Sequence, residues 1–162
     1  MNDMAHAVLR LLEENKIDHT LAEHPAVFNM EELYAQGLEH CDTIAKNLLV
    51  RDQKKRFYWL LVLYGEKRAD LKALKARLGH GALSFAGAEE LAELLGLTPG
   101  SVTPFGALND KEHWVTLLLD EDYRGKLIGV HPNDNTATVW LPADALVELL
   151  RQQGTTVEFI PF

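Results

Sequence analysis

Lys46 and Asn47 interrupt an apolar run, "IAKNLLV" at 44–50, in which every other residue is aliphatic. A cation and an amide side by side in such a run call for a purpose. Lysine offers a mobile positive charge for a carbonyl or phosphate oxygen, and asparagine offers both a donor and an acceptor. His131, in "GVHPN", adds a titratable ring, and Gly100-Ser101 lies in the Gly- and Pro-rich stretch "LTPGSVTPFGALND". Together these groups could bind and polarise an ester without supplying a covalent nucleophile. Each also has a structural reading when taken alone. Lys46 suits an edge-strand gatekeeper, His131 a turn histidine, and His24-Pro25 a simple turn.

Other chemistries lack their signatures. The chain has no GxxxxGK[ST] or GxGxxG loop and no GxSxG elbow. Its seven histidines show neither HxH nor HExxH spacing, and the single cysteine, Cys41, stands beside His40 without further ligands nearby. No metal site and no cofactor are expected, and Cys41 is read as packing.

The elements that must position these residues follow from periodicity. Helices are expected at 3–15, where Val8, Leu9, Leu11 and Leu12 form a stripe, and at 29–37, where Asn29 caps, Glu32 completes a capping box and Gly37 stops the helix. Further helices are expected at 70–79, 87–96 and 142–154, each ended by glycine. Strands are read at 18–24, 43–50, 57–64, 113–120, 126–132, 136–142 and 156–162, the second and third forming an antiparallel hairpin across "RDQKKR". Strand alternation sends Lys46 and Asn47 to opposite faces unless a bulge or strand end re-aims one. Helices and strands intermix without regular βαβ alternation, so the class is α+β on a mixed, mainly antiparallel, curled sheet.

A chain of 162 residues, 47% hydrophobic, is one domain's worth of core. No apolar run reaches membrane-spanning length, the first residues carry acids, and one cysteine suits a reducing compartment, so a cytoplasmic monomer is expected. The net charge of −8 speaks against nucleic acid, but its distribution does not. From Lys46 to Arg77 ten bases face three acids, so this segment is +7 and the remainder −15.

Five ordered motifs, "AEHPAVFNMEEL", "IAKNLLVRDQKKRFYWLLVL", "DLKALKARLG", "LGLTPGSVTPFGALND" and "GVHPNDNTATVWL", resemble the YbaK/ProX family of free-standing aminoacyl-tRNA deacylases. In particular they look like its prolyl-tRNA editing members, over essentially the whole chain. The resemblance implies an α+β, barrel-like editing domain like the one inserted in bacterial prolyl-tRNA synthetase. It also implies hydrolysis of mischarged tRNA(Pro), foremost Ala-tRNA(Pro), with Cys-tRNA(Pro) as the sister activity. A synthetase pocket built for proline rejects smaller alanine weakly, so a second site must remove the error.

By the same resemblance Lys46 holds a substrate oxygen, Asn47 and His131 orient the ester and terminal ribose, and a ribose hydroxyl assists attack by water. His24, Gly129, Gly100 and Ser101 fall on the binding segments, and Phe28, Met30 and Leu33 on a small apolar wall. Ala26 and Asn29 depart from the family's usual proline and threonine, which bears on substrate choice. The implied partner is the acceptor end of tRNA, with prolyl-tRNA synthetase or an elongation factor as a possible helper. A catalytically silent tRNA- or synthetase-binding module and a metabolite-binding protein are the competing classes.

Overall fold

A computed structural model describes residues Met1–Phe162. The chain opens with α1 (Asp3–Glu14), whose start is set by Asn2 accepting from the Ala5 N–H and whose buried stripe is Ala5, Val8 and Leu12. After β1 (Thr20–Glu23) comes α2 (Met30–Tyr34), a short helix capped by the Asn29 side chain on Glu32 N–H at 2.8 Å. The Glu32 carboxylate returns to Phe28 N–H, one residue before the cap, so the expected capping box forms in a displaced version.

The central hairpin is β2 (Ala45–Asp52) with β3 (Tyr58–Tyr64), in register from Ala45↔Tyr64 to Arg51↔Tyr58. Asp52 is almost fully buried and accepts from Arg56 and Phe57 N–H, which ties the turn back onto its own strand. α3 (Leu71–Leu78), capped by Asp70 and ended by Gly79 at φ +70°, leads into β4 (Leu83–Phe85) and α4 (Ala88–Leu95). β4 was not expected, because three residues are too few for alternation to register. The Gly- and Pro-rich stretch forms two 3₁₀ turns, Pro99–Ser101 and Pro104–Asn109. The chain then completes β5 (Val115–Asp120), β6 (Leu127–Val130), β7 (Ala137–Pro142), α5 (Ala143–Gln152) and β8 (Val157–Ile160).

The strands make two sheets, β4-β2-β3-β5-β8 and β1-β7-β6, rather than one barrel-like sheet. Only β3–β5 and β5–β8 are parallel, which keeps the fold mixed and mainly antiparallel. The return from β3 to β5 runs through α3, β4 and α4, long enough for a parallel crossover. β3 is buried on both faces, so "YWLLVLY" reads as a continuous apolar run. Leu60 and Val62 join the main core with α1, α4 and α5, while Trp59, Leu61 and Leu63 join a smaller core under α3.

A single parallel bridge, Ile44↔Gly129, joins the sheets at the start of β2. The approach is close: a Cβ on Gly129 would lie 2.7 Å from Trp140 Nε1 and 2.9 Å from Ile44 Cγ1. Gly129→Ala should therefore destabilise the fold by about 1–3 kcal/mol, read by thermal unfolding, because neither neighbour can yield without parting the sheets. Unchanged unfolding would mean that the junction is softer than this packing implies.

Candidate active site

A cleft of about 280 Å³ opens beside that junction. Its floor is the first half of β2, where Ala45, Lys46, Asn47 and Leu48 all line it. Four consecutive residues can share one cleft because β2 has a free edge there. β3 covers one side of the strand along its length, but β4 covers the other only at Val50–Asp52. The opposite-face problem posed by Lys46 and Asn47 is thus resolved by a cleft that meets the strand edge-on and takes side chains from both faces. Backbone alternation adds to this. Asp52 N–H bonds to the C=O of Phe57, just before β3, whereas Leu49 C=O points away and accepts from Ala86. The same parity turns the main-chain N–H and C=O of Asn47 toward the open edge.

The polar side chains of the lining are Lys46, Asn47, His131, Asn29 and Thr138, with no carboxylate or thiol among them. Lys46 is half-buried and makes no ion pair with any carboxylate. Asn47 donates weakly to its neighbour Ala45 C=O at 3.4 Å, and its own Oδ1 is buried without a partner. An unpaired buried acceptor is costly, and this one lies beneath the cleft that Asn47 lines.

His131 donates Nδ1–H to Ala137 C=O at 2.7 Å, since a carbonyl can only accept. The neutral ring therefore presents Nε2 as a free acceptor on the cleft. Burial holds its pKa below the usual histidine range, against the opposing pull of the Ala137 bond. Its ring lies 6.0 Å from that of His24. His24 stands behind the lining: its Nδ1–H goes to Pro25 C=O at 2.9 Å, so its Nε2 accepts from Thr138 Oγ1 at 2.9 Å.

The apolar wall combines Val27, Met30 and Leu33 with Ile44, and Phe28 stands at its rim, 66% exposed. Gly100 lies across from it, so close that a Cβ would sit 2.7 Å from Phe28 Cδ1. Three expected binding residues are not in the lining: His24, which stands behind it, Ser101 and Gly129. Ser101 turns inward, its Oγ accepting from Thr98 N–H at 3.3 Å and bonding Thr98 Oγ1 at 3.0 Å, so it closes the 3₁₀ turn rather than facing substrate. Gly129 lies beneath the cleft as the sheet junction. Asn29 lines the wall, but its Oδ1 is spent on the α2 cap, whereas Ala26 is exposed and outside the lining. Cys41 donates Sγ–H to Leu38 C=O and is also outside the lining.

Thr138, fully buried, was missed from the sequence. Its signal was available, as a hydroxyl residue at alternating spacing in the otherwise apolar strand "ATVWLP". No group of three or more His, Cys, Asp or Glu is placed to hold a metal ion, and no helix is long and apolar enough to cross a membrane.

Comparison with known proteins agrees with this geometry. Residues 24–149 match the family model for the aminoacyl-tRNA editing domain. The chain is 40% identical over 159 residues to the prolyl-tRNA editing protein ProX of Acetoanaerobium sticklandii, covering 98% of this chain and 97% of that one. It is 34% identical to prolyl-tRNA synthetase associated domain-containing protein 1 of Danio rerio, over 96% of this chain and 86% of that one. A crystal structure proposed to be a trans-editing enzyme for prolyl-tRNA synthetase superposes with a TM-score of 0.73 at 25% identity, covering 100% of this chain and 99% of that one. The match extends through every segment that builds the cleft, from Val27 to Thr138, and on that ground the chain belongs to the aminoacyl-tRNA editing domain family.

Proposed function

We propose that this protein is a trans-editing hydrolase that deacylates mischarged tRNA(Pro), with Ala-tRNA(Pro) as its main substrate. The observation that carries the reading is the pairing of an unneutralised Lys46 with the unpartnered Asn47 Oδ1 in a cleft whose lining holds no nucleophilic carboxylate or thiol. Such a site suits an ester that water can cleave once its carbonyl is polarised.

In this mechanism the ester carbonyl oxygen faces Lys46 Nζ, and the negative charge that develops there on water attack is met by the ammonium. On binding, the Asn47 side chain turns its buried Oδ1 toward the substrate's α-ammonium, and the N–H on the open edge of β2 supplies a further donor. His131 Nε2 accepts from a hydroxyl of the terminal ribose, which orients it toward the attacking water. The ribose oxygen leaves as the acyl bond breaks and takes up a proton, releasing the free amino acid and the intact RNA. Val27, Met30, Leu33 and Ile44 close around a side chain the size of a methyl group. Nothing on that wall is specific for a thiol, since Asn29 Oδ1 is occupied by the helix cap.

The test is deacylation of Ala-tRNA(Pro), Cys-tRNA(Pro) and Pro-tRNA(Pro), each labelled on the amino acid. Alanine should be released fastest and proline spared. Release of cysteine in preference would move the protein to the sister activity, and release of none would leave a non-catalytic RNA-binding module.

A further inference from the structure

Ten of the sixteen lysines and arginines lie between Lys46 and Arg77, and apart from Lys46 the cleft chemistry uses none of them. Of the ten bases between Lys46 and Arg77, Arg51, Arg56 and Lys67 are paired with carboxylates. The other seven have none within 4.0 Å. Outside this segment the chain is −15.

Topology gathers five of these seven unpaired bases, Lys46, Lys54, Lys55, Lys72 and Lys75, along one track. β2 residues of even number share the face that packs under α3, as Leu48 and Val50 do, and Lys46 belongs to that parity. α3 starts soon after the end of β3 nearest Lys46 and runs back toward the hairpin turn. His80, just past its end, lies 4.7 Å from Phe57 and 5.0 Å from Trp59, ring to ring. Lys72 and Lys75 are exposed on this helix, and Lys54, Lys55 and Arg56 are exposed on the turn beyond the rings. Phe57, 46% exposed, stands between the two groups with the Arg56 guanidinium over its face. The track thus runs from Lys46 past α3 to the hairpin turn, roughly 20 Å along the strand at about 3.3 Å per residue.

We infer that this face, formed by α3 and the β2–β3 turn, docks the acceptor arm of the tRNA, with Lys72, Lys75, Lys54 and Lys55 meeting backbone phosphates and leading its 3′ end to Lys46. The inference rests on the proposed editing function. Charge complementarity selects RNA as the occupant. A polyanion is attracted by this net-positive segment and repelled by the net-negative remainder of the chain, which sets its direction of approach. The exposed ring of Phe57 suits stacking against an unpaired base.

The experiment compares wild type with Lys54→Glu/Lys55→Glu/Lys72→Glu/Lys75→Glu, all exposed positions, in three assays. Binding of uncharged tRNA(Pro) across a salt series should weaken at least tenfold in the variant, with the log–log salt slope reduced by about three units for four lost phosphate contacts. kcat/KM for Ala-tRNA(Pro) should fall in step, while cleavage of 3′-O-alanyl-adenosine, which has no arm to dock, should be unchanged. Equal tRNA affinity and equal salt slope in the two proteins would overturn the inference, as would failure of the wild type to bind tRNA. Failure of the wild type to cleave either ester while it still binds tRNA through these lysines would count against the editing function and leave the docking face standing.

Discussion

Lys46→Ala is expected to lower kcat/KM for Ala-tRNA(Pro) by about 10²–10³-fold, the usual effect of removing one charge-stabilising donor from an acyl-transfer site. The size follows from its surroundings. No carboxylate neutralises the ammonium, and the cleft places it beside the open edge of β2. Its charge is therefore available to the developing oxyanion alone. The same absence of partners predicts that the variant folds normally, since no buried group loses a hydrogen bond, and thermal stability should change by no more than about 0.5 kcal/mol. Lys46→Arg should restore little, because a planar guanidinium cannot take the place of a compact point charge at the end of a flexible stem. Full activity in the alanine variant would remove Lys46 from the mechanism.

His131 carries the second large effect. Its ring is held in one tautomer by Ala137 and kept neutral by burial, which lowers its pKa from the ordinary 6.5. His131→Ala should cost about 10²-fold in kcat/KM, the scale of a misplaced reacting group. The acid limb has a definite sign. As pH falls through the depressed folded pKa, the ring gains a proton, Nε2 ceases to accept, and a second cation appears beside Lys46. Deacylation corrected for spontaneous ester loss should thus fall on the acid side, at a lower pH than an ordinary histidine would impose. Stability changes in the same direction. The unfolded chain takes up the proton near 6.5 and the folded chain resists it, so the unfolded state binds more protons and stability declines as pH drops below 6.5. His131→Gln should keep part of the activity but lose this acid limb, and persistence of the limb in that variant would assign it to another group.

The cleft also shows what the sequence could and could not reveal about a site. The interruption of an aliphatic run by Lys46-Asn47 is visible as a break in pattern, because a charged group inside a half-buried strand is unfavourable without a purpose. The same logic exposes His131 in "GVHPN" and could have exposed Thr138. Ser101 was expected at the cleft, but a small hydroxyl in a Gly-Pro loop has two outlets, substrate or its own backbone. Here Thr98 N–H, three residues before it, takes the hydroxyl. Gly129 was expected to bind substrate, but the structure puts it at the junction beneath the cleft, because the steric closeness of Trp140 and Ile44 has no trace in local sequence.

What the sequence determined by itself is the local structure and the residue chemistry. Helix caps at Asn2, Asn29 and Asp70, glycine stops at Gly79 and Gly96, the β2–β3 hairpin and the basic segment all arise from neighbours a few residues apart. Periodicity and capping are short-range physics, so they survive without coordinates. What the tertiary structure alone decided is the split into two sheets, the parallel pairing of β3 with β5 and β5 with β8, and the free edge of β2 that lets Lys46 and Asn47 share one cleft. Those features depend on which distant strands pair and where pairing stops. Backbone hydrogen bonding is nearly blind to side-chain identity, so no run of residues encodes its own partner.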